Sequence, residues 1–213
     1  MERIEDSVEE TIALRWRELG RRLGIAVSFW FYEWQRLHAA YSEPDRHYHN
    51  LRHLLDMFAI IDQLELQEPD SVELSVFFHD VVYDPQRQNN EEASAAWAAE
   101  SLSAAGIDAQ LIERVKHLIL ATKSHQVEAG DHDATALLDA DLSILGESSR
   151  MYQRYAENIW MEYSFVPEAQ YQVARKQVLQ RFLERDRIYQ TEMVYQRLEA
   201  RARQNLQHEM QRL

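Results

Sequence analysis

Residues 47–92 read HYHNLRHLLDMFAIIDQLELQEPDSVELSVFFHDVVYDPQRQNNEE, and the rest of the chain is read outward from them. Here the apolar run Val76, Phe77, Phe78 ends on adjacent His79 and Asp80. Imidazole and carboxylate are both good ligands for divalent metals, and apolar runs seldom end in such a pair unless something uses it. With a histidine about thirty residues upstream and an aspartate-bearing helix downstream, the doublet becomes a candidate four-ligand site.

Upstream of the doublet, the spacing predicts one helix from near Arg46 to Leu66. His49 and His53 would then share a face, being four residues apart. HNLRH is not a zinc-protease pattern, because Asn50 stands where the glutamate base would be. Asp70 reads as the cap of the next helix, with Glu73 completing a capping box. That helix carries Leu74, Phe77 and Phe78 inward and presents His79 and Asp80 at its end. Downstream, Asn89 or Asn90 caps a helix with Glu91 and Glu92 in its first turn, where acids suit the dipole.

Composition points the same way for the whole chain. Its 213 residues suffice for one domain with a real core, and 5 Gly and 4 Pro favour helix nearly everywhere. Zero Cys excludes disulfides, thiolate metal sites and cysteine nucleophiles. A net charge of −13 opposes binding of long nucleic acids, while a bound cation would still admit small anions. The acidic start MERIEDSVEE is unlike a secretory signal, and no apolar run approaches membrane-spanning length. The expectation is a cytoplasmic protein without membrane contact. Oligomeric state does not follow from the sequence.

Further helices follow from periodicity. One carries Ile12, Trp16 and Leu19; a second carries Trp30, Trp34, Leu37 and Tyr41, a stripe read as core. Asp108 caps a helix with Leu111, Val115, Leu118, Thr122 and His125 on one stripe, so His125 points inward and His117 outward. Residues 126–134 read as polar loop. In the stretch Leu137–Leu145, Asp141 has Leu137, Leu138, Ile144 and Leu145 three and four positions away. Asp139 has Thr135, Ala136, Leu142 and Ser143, a less apolar set, so Asp141 is expected to be the buried carboxylate and to need a partner such as a metal. Three more helices carry Tyr152, Tyr155, Ile159 and Tyr163, then Tyr171, Ala174, Val178 and Phe182, then Val194, Leu198, Ala202 and Leu206.

The order His…His-Asp…Asp resembles the HD superfamily of metal-dependent phosphohydrolases. The strings RHYHNLRHLL, FFHDVVYD, NNEEASA and LLDADLSILG are similar to a small bacterial branch of it, over a span from about Trp16 to Asn205. The resemblance implies an all-α, single-domain helical bundle of the HD type over residues 1–213. It implies a divalent metal ion held by His49, His79, Asp80 and Asp141, and supports Asp141 over Asp139. Mn, Fe, Co, Ni, Zn and Mg all suit such a mixed nitrogen and oxygen set. His53, where the family often has an aliphatic residue, reads as a substrate-facing or hydrogen-bonded core group.

Glu91 and His125 become candidates for moving protons. Arg46 and Lys123 are candidates for phosphate contact, with Arg52, Arg87, Arg175, Lys176 and Arg181 behind them. The implied reaction is hydrolysis of a nucleotide or another small phosphate ester. Two rivals stand beside it. One is a di-iron oxygenase, which would need further histidine ligands; the other is a non-catalytic module that keeps a metal for structure or sensing.

Overall fold

A computed structural model describes residues 2–125, 127 and 130–213, with residues 2–6 described by backbone alone. Its central element is the helix that leads to the His-Asp doublet. We number the helices α1 (Glu2–Arg22), α2 (Val27–Tyr41), α3 (Leu51–Ile61), α4 (Pro69–Phe78) and α5 (Asn90–Ala104). There follow α6 (Ala109–Thr122), α7 (His132–Asp141), a short 3-10 turn Leu142–Gly146, α8 (Ser149–Glu162), α9 (Glu168–Leu183) and α10 (Glu192–Arg212). No strand occurs among the described residues, so the chain is an all-helical domain.

Every residue of α4 from Ser71 to Phe78 is buried. A helix can be buried all round only if its polar side chains find partners inside it or on its neighbours. Ser75 Oγ therefore donates to the Ser71 carbonyl (2.7 Å). Glu73 faces α1, where it pairs with Arg22 (2.9 Å) and Arg15 (3.3 Å). Around α4 pack α3, α5, α6 and α7. The Trp16 and Trp30 rings stack 3.8 Å apart, and Trp16 meets Phe77 edge-on, joining α1 and α2 to this centre. Among the described residues no helix is long and apolar enough to cross a membrane.

Several local expectations are corrected. The helix expected from Arg46 starts only at Leu51, because Asn50 has extended backbone and its side chain accepts from the Arg52 amide (2.9 Å). The next helix is capped at Glu68 with Pro69 in its first turn, while Asp70 pairs with Arg22 at 3.0 Å instead of capping. Asp131 begins α7 within the expected loop, accepting from the Ala134 amide at 3.0 Å. Along α9 the buried side chains are Tyr171, Arg175 and Leu179, and Val178 faces outward. The reason is Arg175, which pairs with Glu209 of α10 (2.8 Å) and draws that face inward.

Asp139 and Asp141 also exchange burial. Asp139 is buried and accepts from the amides of Gln190 (2.9 Å) and Thr191 (2.7 Å) and from the Thr191 hydroxyl (2.6 Å). It ties the entry of α10 to α7. Asp141 is the partly open one, with 15% of its side chain exposed.

The close approach of the 3-10 turn to α10 generates a stability prediction. A Cβ on Gly146 would lie 2.5 Å from Leu198 Cβ and 2.8 Å from the Leu198 carbonyl oxygen. Gly146→Ala should cost about 1–3 kcal/mol through overpacking, read as a lower urea midpoint with unchanged slope. An unchanged midpoint would show that the two segments separate freely.

Candidate metal centre

Helix α4 ends by delivering the doublet. The His79 amide still donates to the Ser75 carbonyl (2.9 Å), so the imidazole leaves the last helical turn with a fixed direction. Its Nδ1 lies 3.0 Å from the Val76 carbonyl, which makes Nδ1 the protonated nitrogen and turns Nε2 to the interior.

The helix-end carbonyls need donors of their own. Tyr41 Oη donates to the Phe77 carbonyl (3.1 Å), and Arg46 donates to the carbonyls of Asp80 (2.5 Å) and Val81 (2.9 Å). Arg46 also pairs with Glu43 at 2.9 Å, with 3% of its side chain exposed. The structure thus makes Arg46 a clamp on the doublet's backbone, whereas the sequence suggested a phosphate contact.

Three side chains converge on His79. His53 Nε2 lies 3.2 Å from His79 Nε2 and 3.2 Å from Asp141 Oδ1. Asp80 Oδ2 lies 3.0 Å from His79 Nε2 and 3.9 Å from His53 Nε2. His79 Nε2 and Asp141 Oδ1 are 3.9 Å apart. Ligand atoms roughly 2.1 Å from one ion are at most about 4 Å from each other, so these separations suit a common cation. His53, His79 and Asp141, with ligand atoms all within 4.8 Å of one another, form a group that could hold a metal ion.

The charges agree with that geometry. Burial pushes the His79 imidazole toward the neutral form, but the Asp80 and Asp141 carboxylates outweigh it and hold its pKa up at about 9. Burial likewise raises Asp80 and Asp141, and the surrounding imidazoles more than reverse this, leaving both well below the ordinary carboxylate range. A cavity that holds two ionised carboxylates against buried imidazoles favours positive charge, which a divalent cation would supply.

His49 stands beside this group, although the resemblance implied it as a ligand. Because α3 begins after Asn50, His49 does not share a helical face with His53. Its Nδ1 lies 2.7 Å from Glu162 Oε2, and its ring stacks on Tyr83 at 4.0 Å. Burial lowers the His49 pKa, while the hydrogen bond to Glu162 and the charge of Asp80 raise it further, for a net rise. His53 instead lies on the buried face of α3 with Met57 and Phe58. A sequence signal for it existed, since His53 is four residues before Met57 on an apolar stripe.

The other candidates are spread more widely. His125 ends the segment after α6 with a left-handed backbone (φ 48), and its Nε2 lies 3.0 Å from Asp141 Oδ2. Arg185 supports that turn by donating to the His125 carbonyl (3.3 Å). Glu91 lies 3.9 Å from Lys123, and Lys123 pairs with Glu92 and donates to the Gln88 carbonyl (2.8 Å). Glu91 and Lys123 therefore join α5 to the end of α6, a role that sequence reading assigned to neither.

His117 is exposed and pairs with Asp131 at 3.2 Å, well apart from the centre, as its polar neighbours suggested. Arg175 is spent on Glu209. Glu162 escaped sequence reading altogether. Its signal was a carboxylate three residues after Ile159 and seven after Tyr155, on the inward stripe of α8.

No protein family, no curated protein and no solved structure matches this chain.

The clamp can be tested directly. Arg46→Met keeps the length of the side chain and leaves the Asp80 and Val81 carbonyls without their donor. It should cost about 1–3 kcal/mol in urea unfolding, as expected for buried acceptors left unpaired. A variant as stable as the parent would show that water replaces the guanidinium.

Proposed function

We propose that this protein is a metal-dependent phosphohydrolase of the HD type, acting on a nucleotide or another small phosphate ester. The observation that carries the reading is the convergence of His53, His79 and Asp141 at ligand spacing from three separate parts of the chain, with Asp80 Oδ2 3.0 Å from His79 Nε2. His53, His79 and Asp141 would hold the ion, with Asp80 as a fourth oxygen donor. Four protein ligands leave open positions on a six-coordinate ion. A divalent ion there supplies Lewis acidity toward water and a phosphoryl oxygen.

The chain's own residues orient and move protons around that centre. His79 is fixed by its Nδ1 contact to the Val76 carbonyl, which sets the basicity and direction of Nε2. His125, 3.0 Å from Asp141, is placed to exchange a proton with water or substrate beside the ion. The neighbouring imidazoles keep Asp80 and Asp141 ionised, and a cation taking their place would release the proton that His79 carries.

The test begins with elemental analysis of the purified protein. A screen of phosphate esters follows, with Mn, Fe, Co, Ni, Zn or Mg restored in turn. His79→Ala and Asp80→Ala should lose metal and hydrolysis together, whereas His117→Ala should keep both. Full phosphatase activity in metal-free His79→Ala protein would end this reading.

One observation favours a second reading. The two oxygens of Asp141 face opposite partners, Oδ1 toward His53 (3.2 Å) and Oδ2 toward His125 (3.0 Å), as in a carboxylate that bridges two ions. That arrangement would suit a di-iron oxygenase. On the phosphohydrolase reading one metal binds per chain, and His125→Ala lowers turnover much more than metal content. Two irons per chain, with one lost in His125→Ala, would favour the oxygenase.

A further inference from the structure

Arg185, just past the end of α9, does the backbone work of Arg46 and Arg203 without the carboxylate that each of those keeps. Arg46 holds the carbonyls of Asp80 and Val81 and pairs with Glu43 (2.9 Å). Arg203 holds the carbonyls of Leu183, Arg185 and Asp186 and pairs with Glu199 (2.7 Å). Arg185 donates to the carbonyls of His125 (3.3 Å) and Ser124 (3.5 Å), and no carboxylate among the described residues pairs with it. The chain has 36 Asp and Glu against 23 Lys and Arg, so a half-buried guanidinium left without one is a departure from the rest of the fold. Burial pushes its pKa down, and no acidic neighbour among the described residues offsets that cost.

A brace for the turn needs less than Arg185 offers. Its two bonds lie at the long edge of the hydrogen-bond range and occupy two of five N–H donors. The guanidinium rests over the Phe182 ring, 4.7 Å from its centre, which fixes its direction and leaves the other N–H groups for a further partner.

The position of this cation is informative. The turn it touches carries His125, whose backbone is left-handed (φ 48) and whose Nε2 lies 3.0 Å from Asp141 Oδ2. Phe182 meets the same imidazole edge-on at 6.1 Å. Arg185 thus borders the candidate centre behind His125 and touches none of His53, His79, Asp80 and Asp141. A cation set back in this way does not share the group on the ion. It suits a second anion on the same molecule, and its planar fork matches two oxygens of a phosphate.

We propose that Arg185 is a substrate-binding residue that takes a second phosphate of an ester whose scissile phosphate sits at the metal centre. The inference rests on the phosphohydrolase reading and narrows its substrate to esters with two phosphates.

The experiment uses the full chain reconstituted with manganese and three substrates: adenosine monophosphate, adenosine diphosphate, and adenosine carrying one phosphate on each of two ribose hydroxyls. The parent should have a lower KM for at least one two-phosphate ester than for the monophosphate. In Arg185→Gln that KM should rise by about 10- to 100-fold, as for a lost charged hydrogen bond. Manganese content, kcat and the KM of the monophosphate should stay near those of the parent.

An equal fall in kcat on all three substrates would overturn the proposal and leave Arg185 as a brace for His125. A parent that hydrolyses the esters without favouring a second phosphate would also overturn it, while the phosphohydrolase reading stands. Should Arg185→Gln fold poorly, Arg185→Lys keeps the charge and loses the fork, and an unchanged KM there would count against the subsite. A parent that binds manganese yet hydrolyses no phosphate ester would instead sink the phosphohydrolase reading, and the subsite with it.

Discussion

The structure depends on ending a fully buried helix. Helix α4 is enclosed on all sides, so its C-terminal carbonyls cannot turn to water, and its next two residues are a histidine and an aspartate. Tyr41 supplies a donor to the Phe77 carbonyl at the helix end, and Arg46 supplies donors to the Asp80 and Val81 carbonyls just past it. The same bonds that satisfy the backbone thereby fix where His79 and Asp80 stand. Stability and site geometry are one problem here, because a doublet at a frayed helix end would hold no ion.

Electrostatics follows from that placement. Asp80 Oδ2 lies 3.0 Å from His79 Nε2 and Asp141 Oδ1 lies 3.2 Å from His53 Nε2, and carboxylates that stay ionised in such a half-buried place require positive charge beside them. The elevated His79 and depressed Asp80 and Asp141 pKa values express the same bias toward positive charge. Arginine does not enter this group. Arg46 is held by backbone carbonyls, and Arg175 by Glu209. A small, multiply coordinated cation fits the distances better than a guanidinium would.

Around this centre the chain builds supports from distant segments. Glu162 braces the loop before α3 from 113 residues away, and Arg185 braces the turn that carries His125 from 60 residues away. Asp139, two residues from Asp141, is spent on the start of α10. One carboxylate of that pair stabilises the fold, and the other is left to the cavity.

The sequence by itself determined the helical class, since sparse Gly and Pro with a period near 3.6 leave little else. It determined the cap at Asp108, the buried face of α10, the outward direction of His117 and the doublet at the end of an apolar helix, all of which depend on neighbours a few residues away. Only the tertiary structure decided which histidine joins His79. That turned on where α3 starts, and Asn50, by capping one residue after His49, placed His53 on the inner face and His49 off the helix. Tertiary structure also decided that Asp139 is the more deeply buried of the two and Asp141 the partly open one, because the burial of Asp139 comes from Gln190 and Thr191, 51 and 52 residues away. Arg46 and Glu162 were illegible for the same reason. A side chain's task is set by the partner it meets, and local periodicity says which way a residue faces but not what waits there.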